Sequence, residues 1–164
     1  MVKKNVLNAL NNQIQLELTA SYGYLAISVW FESQVLKGFA AFFKKQAEEE
    51  REHAEKILEY VQDVGGEVAL QAIPAPKQKF ASPLEAVKAA REAERKNTES
   101  INAIYALAEK ENDLATQKML DWFIKEQVEE EKWAEELVTL VEKCGDSVGS
   151  LFMLDHRVGK EEKD

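Results

Sequence analysis

Glu48-Glu49-Glu50-Arg51-Glu52-His53-Ala54 is the stretch on which the reading of this chain turns. In a protein with 30 acidic residues among 164, such a run ordinarily marks the solvated face of a helix. Two of its members do not fit that description. The apolar seam through this stretch runs Phe39, Phe43, Gln46, Glu50, His53, Ile57, Tyr60 and Val64, so Glu50 and His53 occupy positions that face a core. Spaced three apart, they offer a carboxylate and an imidazole on one helix face, one turn from each other. A carboxylate buried without a partner is costly or takes a proton, so its place in a seam needs a chemical reason.

Working outward, the pattern repeats. Glu17 lies 33 residues before Glu50, and Glu94 lies 33 residues before Gln127, which Glu130 follows as His53 follows Glu50. Each sits in its own seam: Leu7, Leu10, Ile14, Glu17, Ser21, Tyr24, Ser28, Phe31 in the first; Leu84, Val87, Arg91, Glu94, Thr98, Ile101, Tyr105, Ala108 in the third; Leu120, Phe123, Gln127, Glu130, Ala134, Leu137, Val141 in the fourth. The midpoints of the two 33-residue gaps fall near Gln34 and between Lys110 and Glu111, both turn-like. Helices folded back at these points bring Glu17 level with Glu50, and Glu94 level with Gln127.

Helices are therefore expected over about residues 5–34 and 37–64, from Ser82-Pro83 to about Lys110, and from an Asp113 cap to about Cys144. Gly65-Gly66 supplies a left-handed stop, and Ser82-Pro83-Leu84-Glu85 a capped start. The link over 66–81, with Pro74 and Pro76, is long for neighbours. At roughly 3.3 Å per residue it can traverse a bundle and set helices two and three parallel. A last segment, about 146–158, carries Val148, Leu151, Phe152 and Leu154 as a short fifth helix. The expected fold is all-α: one domain over 1–164, a four-helix bundle over about 5–144 with one long crossover, and a short C-terminal helix.

Composition narrows the function. Three Pro and seven Gly suit a helical chain. A net charge of −9 excludes a basic nucleic-acid surface and favours cations. Cys144 is the single cysteine, so there is no internal disulfide and no Cys-x-x-Cys motif. No apolar run has membrane length and no signal peptide follows Met1, which points to the cytoplasm and away from a membrane. Carboxylates with one imidazole suit Fe(II), Mn(II) or Zn(II). Glu17, Glu50, Glu94 and Glu130 carry four negative charges, which two divalent ions balance. Without ions, two carboxylates 4 Å apart repel by about 4 kcal/mol at an effective dielectric of 20.

Gln15-Leu16-Glu17-Leu18, Glu48 through Ala54, and Asp121 through Glu131 together resemble the non-haem ferritins of prokaryotic type, over essentially the whole chain. The resemblance implies a ferritin-like bundle with a ferroxidase centre for two irons: Glu17, Glu50 and His53 at one, with Glu50 bridging, and Glu94, Gln127 and Glu130 at the other. It implies Fe(II) as substrate, dioxygen or hydrogen peroxide as oxidant, ferric mineral as product, and a homo-oligomeric shell of 24 subunits. Tyr24, one heptad after Glu17, matches a tyrosine proposed to supply an electron; its plainer role is a core tyrosine bonded to a ligand carboxylate. Glu49, Glu126 and Glu129, with Glu130 shared, match a third iron site; the plainer reading is a solvated acidic face. Trp122 matches a tryptophan near the centre, with packing as its role.

Departures from related patterns also inform. Arg51 stands where a haem-ligating methionine would follow Glu50, and Glu130 where bacterioferritins have histidine, so no haem is expected. No cysteine-rich iron domain accompanies the bundle. Gln117 and Leu120 stand where animal ferritins line their threefold pores with carboxylates. His156, Met1, Met119 and Met153 form no cofactor pattern, and Trp30 and Trp133 are expected in or beside the core. The leading expectation is iron storage with ferroxidase activity. Against it stand a metal-binding cage subunit without rapid oxidation and a di-metal oxidase acting on an organic substrate.

Overall fold

A computed structural model describes residues 2–161 of the chain; the ends of the expected 1–164 domain, Met1 and residues 162–164, lie outside the described residues. The described residues form five α-helices: α1 Lys4–Ser33, α2 Lys37–Asp63, α3 Pro83–Lys110, α4 Leu114–Cys144 and α5 Val148–Glu161. Their ends follow from local chemistry. Gly65 takes a φ of 70° after α2, a left-handed stop that a β-carbon would strain. Ser82 accepts from the Glu85 amide and Pro83 opens the helix. Asp113 caps α4 by accepting from the Thr116 amide at 3.0 Å. The last helix runs three residues beyond the expected Val158.

The crossover is tied along α1. Asn11 donates to the Glu67 carbonyl at 3.0 Å and accepts from the Ala69 amide at 2.8 Å. Gln15 donates to the Ala72 carbonyl at 2.6 Å, and Phe80 packs edge-on against Trp30 at 5.6 Å. The link thus leaves the end of α2 beside the start of α1 and climbs to the far end of α1, so α3 begins where α2 began and runs parallel to it. The short turns fold α1 on α2 and α3 on α4.

Two apolar clusters fill the bundle. One, at the α1–α2 turn, is rich in aromatics: Phe31, Phe39 and Phe43 stack, and Leu154 and Val158 of α5 close the end. The other is mainly aliphatic, built on Leu10, Ile14, Ile57, Ile101, Leu120 and Phe123. Between them lies a polar layer. The seam of α3 differs from its expected line by one residue. Ala90, Asn97 and Ile104 are buried, while Arg91 turns outward to Glu92 and Glu135. Arginine's charge prefers the wet edge, and alanine allows close helix approach.

Helix α5 docks on the start of α2. Gly38 lets the two backbones meet, since a β-carbon there would lie 1.8 Å from the Asp155 carbonyl oxygen. The Asp155 side chain accepts from the Phe39 amide at 2.9 Å, capping a helix whose own N-cap residue, Leu36, has no side chain able to do so.

Candidate metal centre

The polar layer is assembled from one or two turns of each bundle helix. Glu17, Glu50, His53, Glu94, Gln127 and Glu130 are all buried, with Glu17 and Glu50 at zero exposure. The equal 33-residue spacings therefore level the donors as the turns require. His53 Nδ1 lies 3.6 Å from Glu50 Oε1 and 4.0 Å from Glu17 Oε2. Three overlapping groups have ligand atoms within 4.8 Å of one another: Glu17–Glu50–His53, Glu50–Glu94–Glu130, and His53–Glu126–Glu130. Glu50 is common to the first two and Glu130 to the last two.

The carboxylates are not held alike. Gln13 donates to Glu17 Oε1 at 2.9 Å and Asn97 to Glu17 Oε2 at 2.8 Å, and Ser100 holds Gln13 in turn at 2.6 Å. Tyr24 donates its phenol proton to Glu94 Oε1, and Gln127 donates to Glu94 Oε2 at 3.3 Å and to Thr98 at 3.1 Å. The Trp133 indole N–H donates to Glu130 Oε2. Glu50 differs: both its oxygens are buried without a hydrogen-bond partner, as are His53 Nδ1 and Gln127 Oε1. Four orphaned acceptor atoms in one layer are an expensive arrangement for folding alone. They fit divalent cations, which would be held by Glu17, Glu50 and His53 on one side and by Glu50, Glu94 and Glu130 on the other.

Burial sets the protonation states. It pushes Glu50 well above the usual carboxylate range, and the charges of Glu94 and Glu17 add to it. Glu94 rises to about 7 through burial, against the hydrogen bonds from Tyr24 and Gln127. Glu130 rises to about 8, through burial first and the Glu94 charge second, opposed by the Trp133 hydrogen bond. His53 is lowered by burial, which outweighs the pull of Glu17, and so presents the neutral ring that binds metals. Tyr24 is raised by burial and by Glu94, and remains a phenol that donates. Metal-free, the layer holds protons at neutral pH; divalent ions compete with them.

Of the third-site residues, Glu126 comes within ligand distance of His53 and Glu130. Glu49 accepts from Gln46 at 3.0 Å, and its charge, like that of Glu126, acts on Glu130. Glu129 is exposed and belongs to none of the three groups. Glu49, Glu126 and His53 line an acidic cavity of about 410 Å³ on the α2–α4 side. Trp122 packs edge-on against His53 at 5.3 Å and carries the Lys56 ammonium over its face at 4.3 Å. Tyr24 contacts the Trp133 ring edge-on at 6.1 Å.

Gln13, Asn97, Ser100 and Trp133 join the layer without being marked by the 33-residue spacing. Their signal in the sequence is faint but real. Gln13 lies four residues before Glu17, Asn97 three after Glu94, and Trp133 three after Glu130, each on its ligand's face.

Fold and donors together define a class: helical bundles that carry carboxylate-rich metal centres between their helices. The family model for the ferritin-like domain matches residues 7–144, and the chain belongs to that iron-storage family. It is 36% identical over 159 residues to a bacterial non-haem ferritin of Staphylococcus aureus, covering 97% of this chain and 96% of that one. A bacterial non-haem ferritin of Staphylococcus haemolyticus is 36% identical over 155 residues, covering 94% and 93%. Among solved structures, an open-pore ferritin from the hyperthermophilic archaeon Archaeoglobus fulgidus superposes with a TM-score of 0.95 at 34% identity, covering 97% of this chain and 98% of that one.

Proposed function

We propose that the protein, acting as one unit over residues 1–164, oxidises Fe(II) at this layer and stores the ferric product inside a closed homo-oligomer of 24 subunits in the cytoplasm. The observation that carries the reading is Glu50, whose two buried and unpartnered oxygens lie between two donor sets. Two ferrous ions bound there share one bridging carboxylate, a spacing suited to paired electron transfer. Each ion gives one electron to dioxygen, which takes two protons and leaves as hydrogen peroxide; peroxide can accept the next pair. Glu94 and Glu130, protonated near neutral pH in the metal-free site, release protons as iron binds. Tyr24 holds Glu94 in its ligand geometry and lies close enough to the pair to supply an electron. Glu49, Glu126 and Glu129, with Glu130 shared, form an outer third iron site towards the α2–α4 cavity.

Assembly is supported by apolar side chains left in the open. Tyr22, Leu25 and Val29 on α1, Leu70 and Ile73 on the crossover, and Val148, Phe152 and Met153 on α5 are all exposed in the single chain. Covering them between subunits removes that area from water. Arg51, exposed beside this surface, replaces the ligand that haem would need. No helix among the described residues is long and apolar enough to cross a membrane.

The test is anaerobic Fe(II) titration of the purified protein, followed by oxygen pulses and light scattering. Saturation at two or three irons per chain, fast ferric formation and a large closed particle are expected. Tight Zn(II) binding with no fast oxidation would leave only a metal-binding shell, and a monomer or dimer at neutral pH would remove the shell.

A further inference from the structure

We propose that dioxygen reaches the metal layer through its own apolar chamber, on the side of the bundle opposite the acidic α2–α4 cavity. The inference rests on the ferroxidase reading above and adds the site at which the oxidant collects.

A cavity of about 420 Å³ lies between α1 and α3 under the crossover. Leu16, Ala20, Ile27, Phe80 and Ala93 give it apolar walls, and its floor is formed by Tyr24 and Asn97. Those two residues are the ones that bond Glu94 and Glu17. One layer of side chains therefore separates the chamber from the metal ligands on both halves of the centre. A small rotation of either side chain is enough to let a diatomic molecule through such a layer.

The rim argues about what does not come this way. Lys96 stands at it beside Lys77, which pairs with Glu85, and its one carboxylate, Glu92, is engaged by Arg91 and Arg95. A ferrous ion finds no unpaired carboxylate in this lining and is drawn instead to the glutamates around His53 on the far face. Dioxygen is uncharged, makes only weak hydrogen bonds and partitions into apolar space, as xenon does.

Gly23 supports the same conclusion. It sits deep inside the 30-residue helix α1, where glycine costs helix stability. Nothing lies within 4 Å of where its β-carbon would be, so no packing contact requires a glycine there. What its missing side chain does is keep the chamber wide, since Gly23 is part of the lining.

Crystals of the assembled protein pressurised with xenon test the chamber directly. Xenon is expected between Gly23 and Ala93 in the wild-type protein and absent in Gly23→Leu, whose side chain fills the space and improves helix propensity. In stopped flow at varied oxygen, Gly23→Leu should lower the second-order rate constant for dioxygen about tenfold or more, with Gly23→Ala between. Anaerobic Zn(II) stoichiometry and affinity should stay at wild-type values in both variants. Lack of xenon in the wild-type chamber overturns the proposal. So does a Gly23→Leu protein that excludes xenon yet keeps the wild-type oxygen dependence while oxidising iron fast. Wild-type protein that takes up xenon but never oxidises Fe(II) would instead refute the ferroxidase reading on which the route depends.

Discussion

The two halves of the metal layer have the same spacing but different support. The α3–α4 half is braced: Tyr24 and Gln127 fix Glu94, and Trp133 fixes Glu130. In the α1–α2 half only Glu17 is braced, by Gln13 and Asn97, while Glu50 and His53 Nδ1 have no hydrogen-bond partner. Equal geometry in the sequence thus conceals unequal energetics. Braced carboxylates are set in position before any ion arrives, which reduces the ordering cost of binding. Unpartnered ones gain most when an ion comes, because a cation relieves both desolvation and like-charge repulsion. The shared residue, Glu50, belongs to the unbraced side, so loading of both ions hinges on it.

The strongest way to break this comparison is to remove that residue. Glu50→Ala is expected to slow the fast oxidation phase by roughly a hundredfold or more, with assembly intact, because both ions lose a ligand. His53→Ala strips only the α1–α2 ion and should also abolish the fast phase, while leaving about one tightly bound Zn(II) per chain. Wild-type oxidation rates in either variant, read by stopped flow, would remove these residues from the centre.

A sharper cut tests the bracing itself. Trp133→Phe keeps an aromatic ring but loses the indole N–H, and with it a contact that holds the Glu130 pKa down to about 8, so the variant's carboxyl is pushed up further. Zn(II) affinity at pH 7 should fall about tenfold, within the range usual for partners that orient metal ligands. The defect should shrink as pH rises past 9, where the carboxylate ionises regardless. A defect independent of pH would mean that the ring acts by packing alone.

Smaller still is the effect of pH on the metal-free protein. Glu94 and Glu130 titrate near 7 and 8 when folded, above their unfolded values near 4.5. With folded values raised, their contribution is complete below about 4.5 and is lost as pH climbs through 7 and 8. The metal-free melting temperature should therefore drop by several degrees between pH 5 and pH 9, a change on the order of a few kcal/mol. Saturating Zn(II) should abolish or reverse that slope. A flat metal-free profile by calorimetry would show that the carboxylates are not strained.

The mildest expected change is in capacity. Glu49→Ala combined with Glu126→Ala should lower bound iron from about three per chain to about two, leaving paired oxidation in place. An unchanged stoichiometry would make these glutamates part of a solvated face.

Periodicity and spacing carried the helices and the shared layer of candidate donors because both depend on position along a helix. Glu17, Glu50, His53, Glu94, Gln127 and Glu130 share a layer since equal distances from a turn bring residues level. The braces depend instead on rotation of one helix against another, which no single-helix pattern encodes. Asn97 reaches Glu17 only because α3 is turned so that Asn97 is buried towards α1, while Thr98 lies half-buried towards Gln127 of α4. That same turn makes Ala90 and Ile104 core residues and places Arg91 at the surface. The fourth seam was legible in full because all seven of its positions are buried, Glu130 included.

The docking of α5 has a consequence for the order of events on the ribosome. The Phe39 amide at the start of α2 is capped by Asp155, a residue 116 positions later in translation. While the chain is being made, the first turn of α2 has its donors open to water, and Gly38 faces a place that no backbone yet fills. The aromatic end of the bundle cannot close until Asp155 and Val158 have left the exit tunnel. Nascent chains stalled before Asp155 therefore present an unfinished end, with the α2 amide uncapped and the aromatic cluster open on the side that Leu154 and Val158 would cover.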